Sequence, residues 1–280
     1  MGEDIEDQAG ETRKPRSPAI AKAGAILEAI SQGDGRPLGV SELGRRIGVA
    51  KSSVAAICDT LVEIELLHRT DRGFQLGAKL AEYGAVYLGT VDLVDSFNRA
   101  ARDVADVLDE TIQLAVLRND LDVVYMAREY GDHPIRVASE VGQALPANCT
   151  GAGKALLAAL DPAEFERRLD RVGELKPLTE RSITDRDVLL RELAAIRERG
   201  YSLDDEETVA GVYCVSMATP GIDPPSRMFA VSCTFLKARR GEADVDGMVG
   251  TLSTLSDRIC KELGLRWSRA PRPRPSLTPG

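Results

Sequence analysis

The chain has 280 residues, 43% of them hydrophobic. That is enough apolar material for one or two packed domains and excludes wholesale disorder. The net charge is −8, and no apolar run approaches the roughly 18–20 residues that a membrane helix needs.

The acid excess is uneven. Nearly all of it lies between residues 90 and 265, residues 19–89 are balanced, and residues 266–280 carry four basic and no acidic side chains. Five widely spaced cysteines (Cys58, Cys149, Cys214, Cys233, Cys260) form no CxxC pair. They fit neither a disulfide framework nor a zinc ribbon and are expected as reduced, buried thiols. No metal and no cofactor is expected. Residues 1–18 are acidic, then rich in Pro and Arg, without a secretory apolar segment. They read as a disordered arm, and a cytoplasmic location and no membrane partner are expected.

The first helix is expected over Ala19–Ser31, with Ile20, Ala23, Leu27 and Ile30 on one face. QGDGRP ends it. Ser41 is placed to cap a second helix starting at Glu42, with Leu43 and Ile47 inward and Gly48 as its stop. A third helix is expected from Lys51 to Ile64, burying Val54, Ile57, Cys58, Leu61 and Val62. Leu67–Thr70 and Phe74–Leu76 flank the turn Asp71-Arg72-Gly73 as a hairpin.

A helical pattern follows from Ala78, and another covers Leu93–Leu108. Ile112–Leu117, Val123–Tyr130 and Ile135–Val141 read as strands, and GAGKALLAAL and PAEFERRLDRV as helices. Thr184 with Asp187 resembles a capping box that opens a helix to Arg199, closed by Gly200. GVYCVSMATP and MFAVSCTF are further strands, and Met248–Leu263 a last amphipathic helix. This order predicts an α+β fold with a mainly antiparallel sheet. The tail, with four prolines from Pro271 onward, is expected to be extended and solvated.

VSELGRRIGVAKSSVAAICDTL has the spacing of a helix-turn-helix with its corner at Gly48. The third helix offers Lys51, Ser52, Ser53, Ala55, Ala56 and Asp59 on its exposed side. Its N-terminus favours phosphate through the helix dipole and free N–H groups. Arg45 and Arg46 on the preceding helix would cross the DNA backbone. Arg69 and Arg72 at the hairpin tip have the content of a wing. A plain helical hairpin in a core is the competing reading. The hairpin in the correct order and the terminal placement favour double-stranded DNA.

These residues, together with IQLAVLRNDLDVVYMAREYGDHPIRVASEVGQALPANCTGAGKALLA and PLTERSITDRDVLLRELAAIRERGYSLDDEETVAGVYCVSMATPGID, resemble the IclR family of bacterial transcription regulators over residues 19–265. The resemblance implies a winged helix-turn-helix domain at 19–76, a linker helix at 77–91, and a GAF-like effector-binding domain at 92–265, followed by the basic, Pro-rich tail at 266–280. It implies a repressor or activator, with repression the expected sign, that binds operator DNA as a homodimer or dimer of dimers and answers to a small organic or aromatic acid. Leu80, Tyr83 and Tyr87 are candidates for the dimer seam. One departure stands out. Where the family often carries bulky polar residues in the recognition helix, this chain has Ala55 and Ala56. Alanine can touch a thymine methyl but donates no hydrogen bond, so base reading would rest on few side chains and on DNA shape.

Gly151, Ala152 and Gly153 open a helix, where small residues expose backbone N–H groups to a carboxylate. A phosphate-binding loop is excluded, because Asn148 stands where its first Gly must be and Ala155 where its Ser/Thr must be. By resemblance the ligand cup is lined by Gly151, Ala152, Asp204, Val212, Cys214, Ser232 and Thr234, with Ile135 and Val137 on its apolar wall. Asp204 to Glu207 also reads as an ordinary solvated acidic turn, and Lys154 as a side chain that snorkels outward.

An enzyme is not expected. His68 and His133 are the only histidines, GxSxG and HExxH are absent, and nothing in the spacing supports a Cys149–His133 pair. An RNA-binding or scaffolding protein would explain the small first domain but not a ligand cup.

Overall fold

The computed structural model describes residues 16–33, 35–89, 92–118, 121–131, 139–222, 227–239 and 245–267. The chain divides into two compact units, residues 1–88 and 89–280. Most of the acidic arm and of the basic tail lies outside the described residues, as do His133, Ile135 and Val137.

The first unit contains α1 (Pro18–Ser31), α2 (Val40–Ile47), α3 (Lys51–Glu63), β1 (Leu67–Thr70), β2 (Gly73–Leu76) and α4 (Lys79–Gly89). Ile26, Ala29 and Ile30 of α1 meet Leu38, Leu43, Val54, Cys58, Leu61, Leu67 and Phe74 in one core. The apolar stripe of α1 is therefore displaced from the expected one. Ala23, Leu27 and Ile30 do turn inward, but Ile20 is 73% exposed and Ile26 is fully buried. The face that packs on α2 and α3 starts at Ala23.

Ser41 is not a cap. Leu38 and Phe74 exchange two backbone hydrogen bonds of 3.0 and 2.9 Å, which hold the chain extended up to residue 38. Gly39 is then the N-cap, the helix begins at Val40, and no side chain caps it. Gly48 makes the corner in the left-handed region, at φ 67°, where a Cβ would be strained. The wing pairs Leu67 with Leu76 through Thr70 with Gly73 in an antiparallel register.

Among the described residues the second unit holds a six-stranded antiparallel sheet between helices, an α+β fold as expected. Its elements are α5 (Asp92–Leu108), β3 (Thr111–Leu117), β4 (Asp122–Glu129), β5 (Ala144–Pro146), α6 (Gly151–Ala159), α7 (Pro162–Val172), α8 (Arg186–Arg199), β6 (Ser202–Asp205), β7 (Val212–Ala218), β8 (Ala230–Leu236) and α9 (Val245–Glu262). The sheet order is β5-β4-β3-β8-β7-β6. Helices α5 and α9 pack together over one face. On the other, α6 lies against the sheet, and its core is completed by Phe165 and Leu169 of α7 and Leu189, Leu193 and Ile196 of α8.

Three local expectations are corrected here. Of the strand expected over Ile135–Val141, residues 135–138 lie outside the described residues, and Ser139 to Val141 are not in a strand. The short strands β5 and β6 were not anticipated. Helix α8 is capped by Asp185, whose carboxylate accepts from the Val188 N–H at 2.9 Å, and not by Thr184. Asp185 sits one position closer to the N–H it satisfies.

Lys154 does not snorkel outward. The first eight residues of α6 are all buried, because the helix is covered by the sheet on one side and by α8 on another. Lys154 is 1% exposed, and its ammonium pairs with the Glu207 carboxylate. Asp204 and Glu207 are also buried, so this stretch is not a solvated acidic turn. The segment before α8 straps over the pair. The Thr179 hydroxyl donates to the Glu206 and Glu207 carbonyls at 2.8 and 3.1 Å, and the Ser182 hydroxyl to the Glu207 carbonyl at 2.8 Å. The Asn148 amide donates to the carbonyls of Lys176 and Ile183 at 3.1 and 2.7 Å.

Burial pushes the Glu207 carboxyl up to about 7, with Lys154 opposing the rise and the Asp204 and Glu192 charges adding to it. An ordinary glutamate titrates near ~4.3. The group's contribution to folding is thus fully present below that ordinary value and is lost as pH rises through about 7. Lys154→Met strips the buried carboxylate of its partner and should cost about 3–5 kcal/mol in urea unfolding. Its deficit should be flat below neutral pH and widen above it. Adding Glu207→Leu should recover most of the loss, and a double variant as unstable as the single one would show that the pair is not the source.

Candidate functional site

In the first unit the structure sorts the candidate cations into two groups. Arg46 is bound internally, to Glu42 at 2.6 Å and to the Ala29 carbonyl at 3.4 Å. Arg69 pairs with Asp59 of α3 and stacks on Phe74, 4.8 Å from the ring centroid. These two fix the wing and α2 to their neighbours. Arg45, Lys51 and Arg72 are exposed and make no ion pair with another described residue.

Ser52 and Ala56 of α3 are exposed, and Ser53 and Ala55 are half-buried. The N-cap of α3 is Ala50, and no side chain caps the helix. Its first N–H groups are therefore left to an outside acceptor, and the unpaired cations lie at the adjoining ends of α2 and α3 and at the wing tip. Such an arrangement suits phosphate.

In the second unit, strand registers assemble a polar belt on the face that α6 covers. One row across the sheet is Asp204, Cys214, Thr234 and Thr111. The next is Ser202, Ser216, Ser232 and Gln113. The following row, Ala218, Ala230 and Ala115, belongs to the apolar core beneath the body of α6. A sheet covered by helices on both faces is ordinarily apolar on both, so two buried polar rows mark a place where something other than side-chain packing is served.

Small residues are required where the belt meets α6. A Cβ on Gly151 would lie 2.6 Å from the Ser216 hydroxyl and 3.3 Å from the Cys214 sulfur. The helix start is held by Thr150, whose hydroxyl accepts from the Gly153 N–H at 3.0 Å, and by Ser202, whose hydroxyl donates to the Gly151 carbonyl at 2.5 Å. Ala152 is buried beside it, and Val212 is buried on the same side of β7 as Cys214.

The hydrogen bonds of the belt are nearly, but not fully, closed. The Thr234 hydroxyl donates to the Gln113 side-chain oxygen Oε1 at 3.1 Å, and the Gln113 side-chain amide Nε2 donates to the Ser139 hydroxyl at 2.5 Å. The Cys214 thiol lies 3.3 Å from the Ser216 hydroxyl, and burial pushes it up to about 11. Burial likewise raises the Tyr125 phenol, which bonds Thr150 and feels Cys214 and Asp204. Ser232, 1% exposed, has a hydroxyl that interacts with the Cys214 thiol but makes no hydrogen bond of ordinary geometry among the described residues, and the buried Thr111 hydroxyl likewise makes none.

Asp204 differs from the expected open acceptor. Its carboxylate takes the Glu207 and Thr208 N–H groups at 2.8 and 3.2 Å and the Thr208 hydroxyl at 2.5 Å. It shapes the turn after β6. Gln113, Ser216, Tyr125 and Ser139 join the belt without having been singled out beforehand. Gln113 alone gave a usable signal, as a lone amide within the apolar run IQLAVL.

No activated nucleophile is found among the described residues. The Cys149 thiol donates to the Lys176 carbonyl at 3.1 Å, and burial raises it, whereas a catalytic thiol is lowered. Among the described residues no cluster could hold a metal ion, and no helix is long and apolar enough to cross a membrane. A separate cleft of about 350 Å³, lined by Leu169, Gly173, Glu174, Leu175, Thr184 and Arg186, shares no residue with the belt.

Comparison with known proteins agrees with both halves. Residues 19–71 match the IclR helix-turn-helix domain, and residues 85–261 match the C-terminal domain of the bacterial transcriptional regulator IclR. The HTH-type transcriptional regulator KdgR of Escherichia coli is 32% identical over 249 residues, 88% of this chain and 92% of that protein. The transcriptional repressor IclR of the same organism is 27% identical, covering 73% of this chain and 79% of that protein. An IclR homolog from Microbacterium hydrocarbonoxydans, solved with 4-hydroxybenzoate, shares the fold with a TM-score of 0.68 at 22% identity, over 88% of this chain and 99% of its own. With an uncapped helix N-terminus amid unpaired cations in one unit, a buried polar belt in the other, and matches spanning both, the chain belongs to the IclR family of bacterial transcriptional regulators.

Proposed function

We propose that this regulator represses transcription by holding its operator through the N-terminal end of α3 and the wing, and that a small organic acid bound at the belt changes that hold. Arg45, Lys51 and Arg72 meet phosphates, assisted by Ser52 and Ser53, while Ala55 and Ala56 face the bases. Arg46 and Arg69 position α2 and the wing. In the second unit the acid's carboxylate lies at the N-terminus of α6, by Gly151 and Ala152. Its polar substituents meet Ser232, Thr234 and Cys214, Val212 covers carbon, and Asp204 frames the rim. Ile135 and Val137 belong to the same proposal by resemblance.

The observation that carries the effector reading is the buried Ser232 hydroxyl, which makes no well-formed hydrogen bond among the described residues. Leaving such a group unsatisfied costs about 1–3 kcal/mol, and a ligand atom removes that cost. The 4-hydroxybenzoate bound by the Microbacterium relative makes small aromatic acids the first class to test. Two copies are needed to read two half-sites. Tyr83 and Val86 of α4, 56% and 67% exposed, are the apolar side chains offered for that pairing, with Leu80 beside them. The side chain of Tyr87 lies outside the described set.

Replacing Arg45, Lys51 or Arg72 with Ala should weaken operator binding and lower the slope of log K against log salt by about 0.9 each, read by fluorescence anisotropy across salt concentrations. Unchanged slopes would remove these residues from the interface. Ser232→Ala should lower affinity for the acid about 2–10-fold in calorimetry and raise the unfolding stability of the unliganded protein by about 1–3 kcal/mol, while leaving operator affinity without effector near that of the parent. Ser232→Leu should abolish acid binding, and an unaltered isotherm in that variant would end the assignment. Tyr83→Glu with Val86→Glu should shift the sedimentation velocity profile toward monomer.

A further inference from the structure

We propose that α3 selects its operator by methyl contact, with Ala55 and Ala56 as the specificity-determining residues packed against thymine 5-methyl groups. The inference rests on the reading that α3 enters the major groove. Bidentate recognition of guanine needs Arg or Lys, and that of adenine needs Asn or Gln. Helix α3, KSSVAAICDTLVE, contains no Arg, Asn or Gln. Its one Lys, Lys51, is the first residue of the helix, where the backbone phosphate lies.

Ser52, Ala55, Ala56 and Asp59 fall at spacings of three and four and so form one stripe. The two polar groups beyond the alanines are already engaged. The Asp59 carboxylate, which could otherwise accept from cytosine, is held by Arg69. The Thr60 hydroxyl donates to the Ala56 carbonyl at 3.1 Å. Glu63 sits in the last turn, whereas recognition helices read bases with their N-terminal residues. The serines bond to either kind of base and discriminate little. What remains at the centre of the stripe is two methyl groups, short enough to let the helix backbone approach the base edges and apolar enough to reward a thymine methyl with desolvation.

The main test uses the full-length parent protein and changes only the DNA. Operators are first selected from a random duplex pool. Thymines in the protected half-sites are then replaced by deoxyuracil, which removes only the methyl, and in parallel guanines by 7-deazaguanine, which removes the N7 acceptor. The expected result is a loss of about fourfold in affinity for each contacted thymine, the worth of one buried methyl, and less than a twofold change for 7-deazaguanine. Ala56→Gly should abolish the difference between thymine and uracil at its position. Equal affinity for thymine and uracil operators overturns the proposal, whether or not 7-deazaguanine weakens binding. Failure to select any duplex overturns the underlying DNA reading as well and is distinguishable from it.

Discussion

An ion pair with almost no access to water holds the second unit's site together. Taking Lys154 and Glu207 out of solvent is costly, and their attraction offsets that cost only while the geometry is kept. The pair therefore ties the first turn of α6 to the turn after β6. Asp204 closes that turn on itself, and the hydroxyls of Thr179 and Ser182 bind the strap across it. The start of α6 and the edge strand β6 are two walls of the polar belt. Neither can shift without disturbing a buried charge.

The two units handle polarity in opposite ways. In the first, cations are divided between those neutralised inside the unit, Arg46 and Arg69, and those left facing solvent, Arg45, Lys51 and Arg72. In the second, Ser232 and Thr111 of the belt keep neutral hydroxyls buried without a well-formed hydrogen bond among the described residues. With a net charge of −8 the whole chain repels a polyanion at long range. Screening confines that repulsion to about 8 Å at physiological salt, so docking is decided by the few cations that reach phosphate directly.

Much of this was legible in advance, and the failures have identifiable causes. Periodicity placed α3 and the wing almost to the residue, because spacing of 3.6 and 2 is set by which face is buried. The cap positions were missed at Ser41 and Thr184, since Leu38 pairing with Phe74 and the better reach of Asp185 are contacts that local pattern does not contain. A hydrophobic stripe points Ile20 inward but does not reveal where the neighbouring helix ends, and Ile20 is exposed. Lys154 and the DDEE stretch were misread for the same reason. A charge looks solvated in sequence, and only the sheet and α8 closing around α6 show that no solvent is there. The rows Ser202–Ser216–Ser232–Gln113 and Asp204–Cys214–Thr234–Thr111 join strands far apart in the chain. Their members were individually ordinary, and the site residues named beforehand owed more to family resemblance than to spacing.

The cysteines carry a consequence of their own. All five are buried and unbridged, and burial raises the thiols of Cys58, Cys149, Cys214 and Cys260. At neutral pH each of these four is almost wholly the unreactive protonated form, shielded from peroxide and from electrophiles alike. These four thiols are therefore poor targets for oxidants, and keeping them in reduced form requires no chemistry beyond their burial.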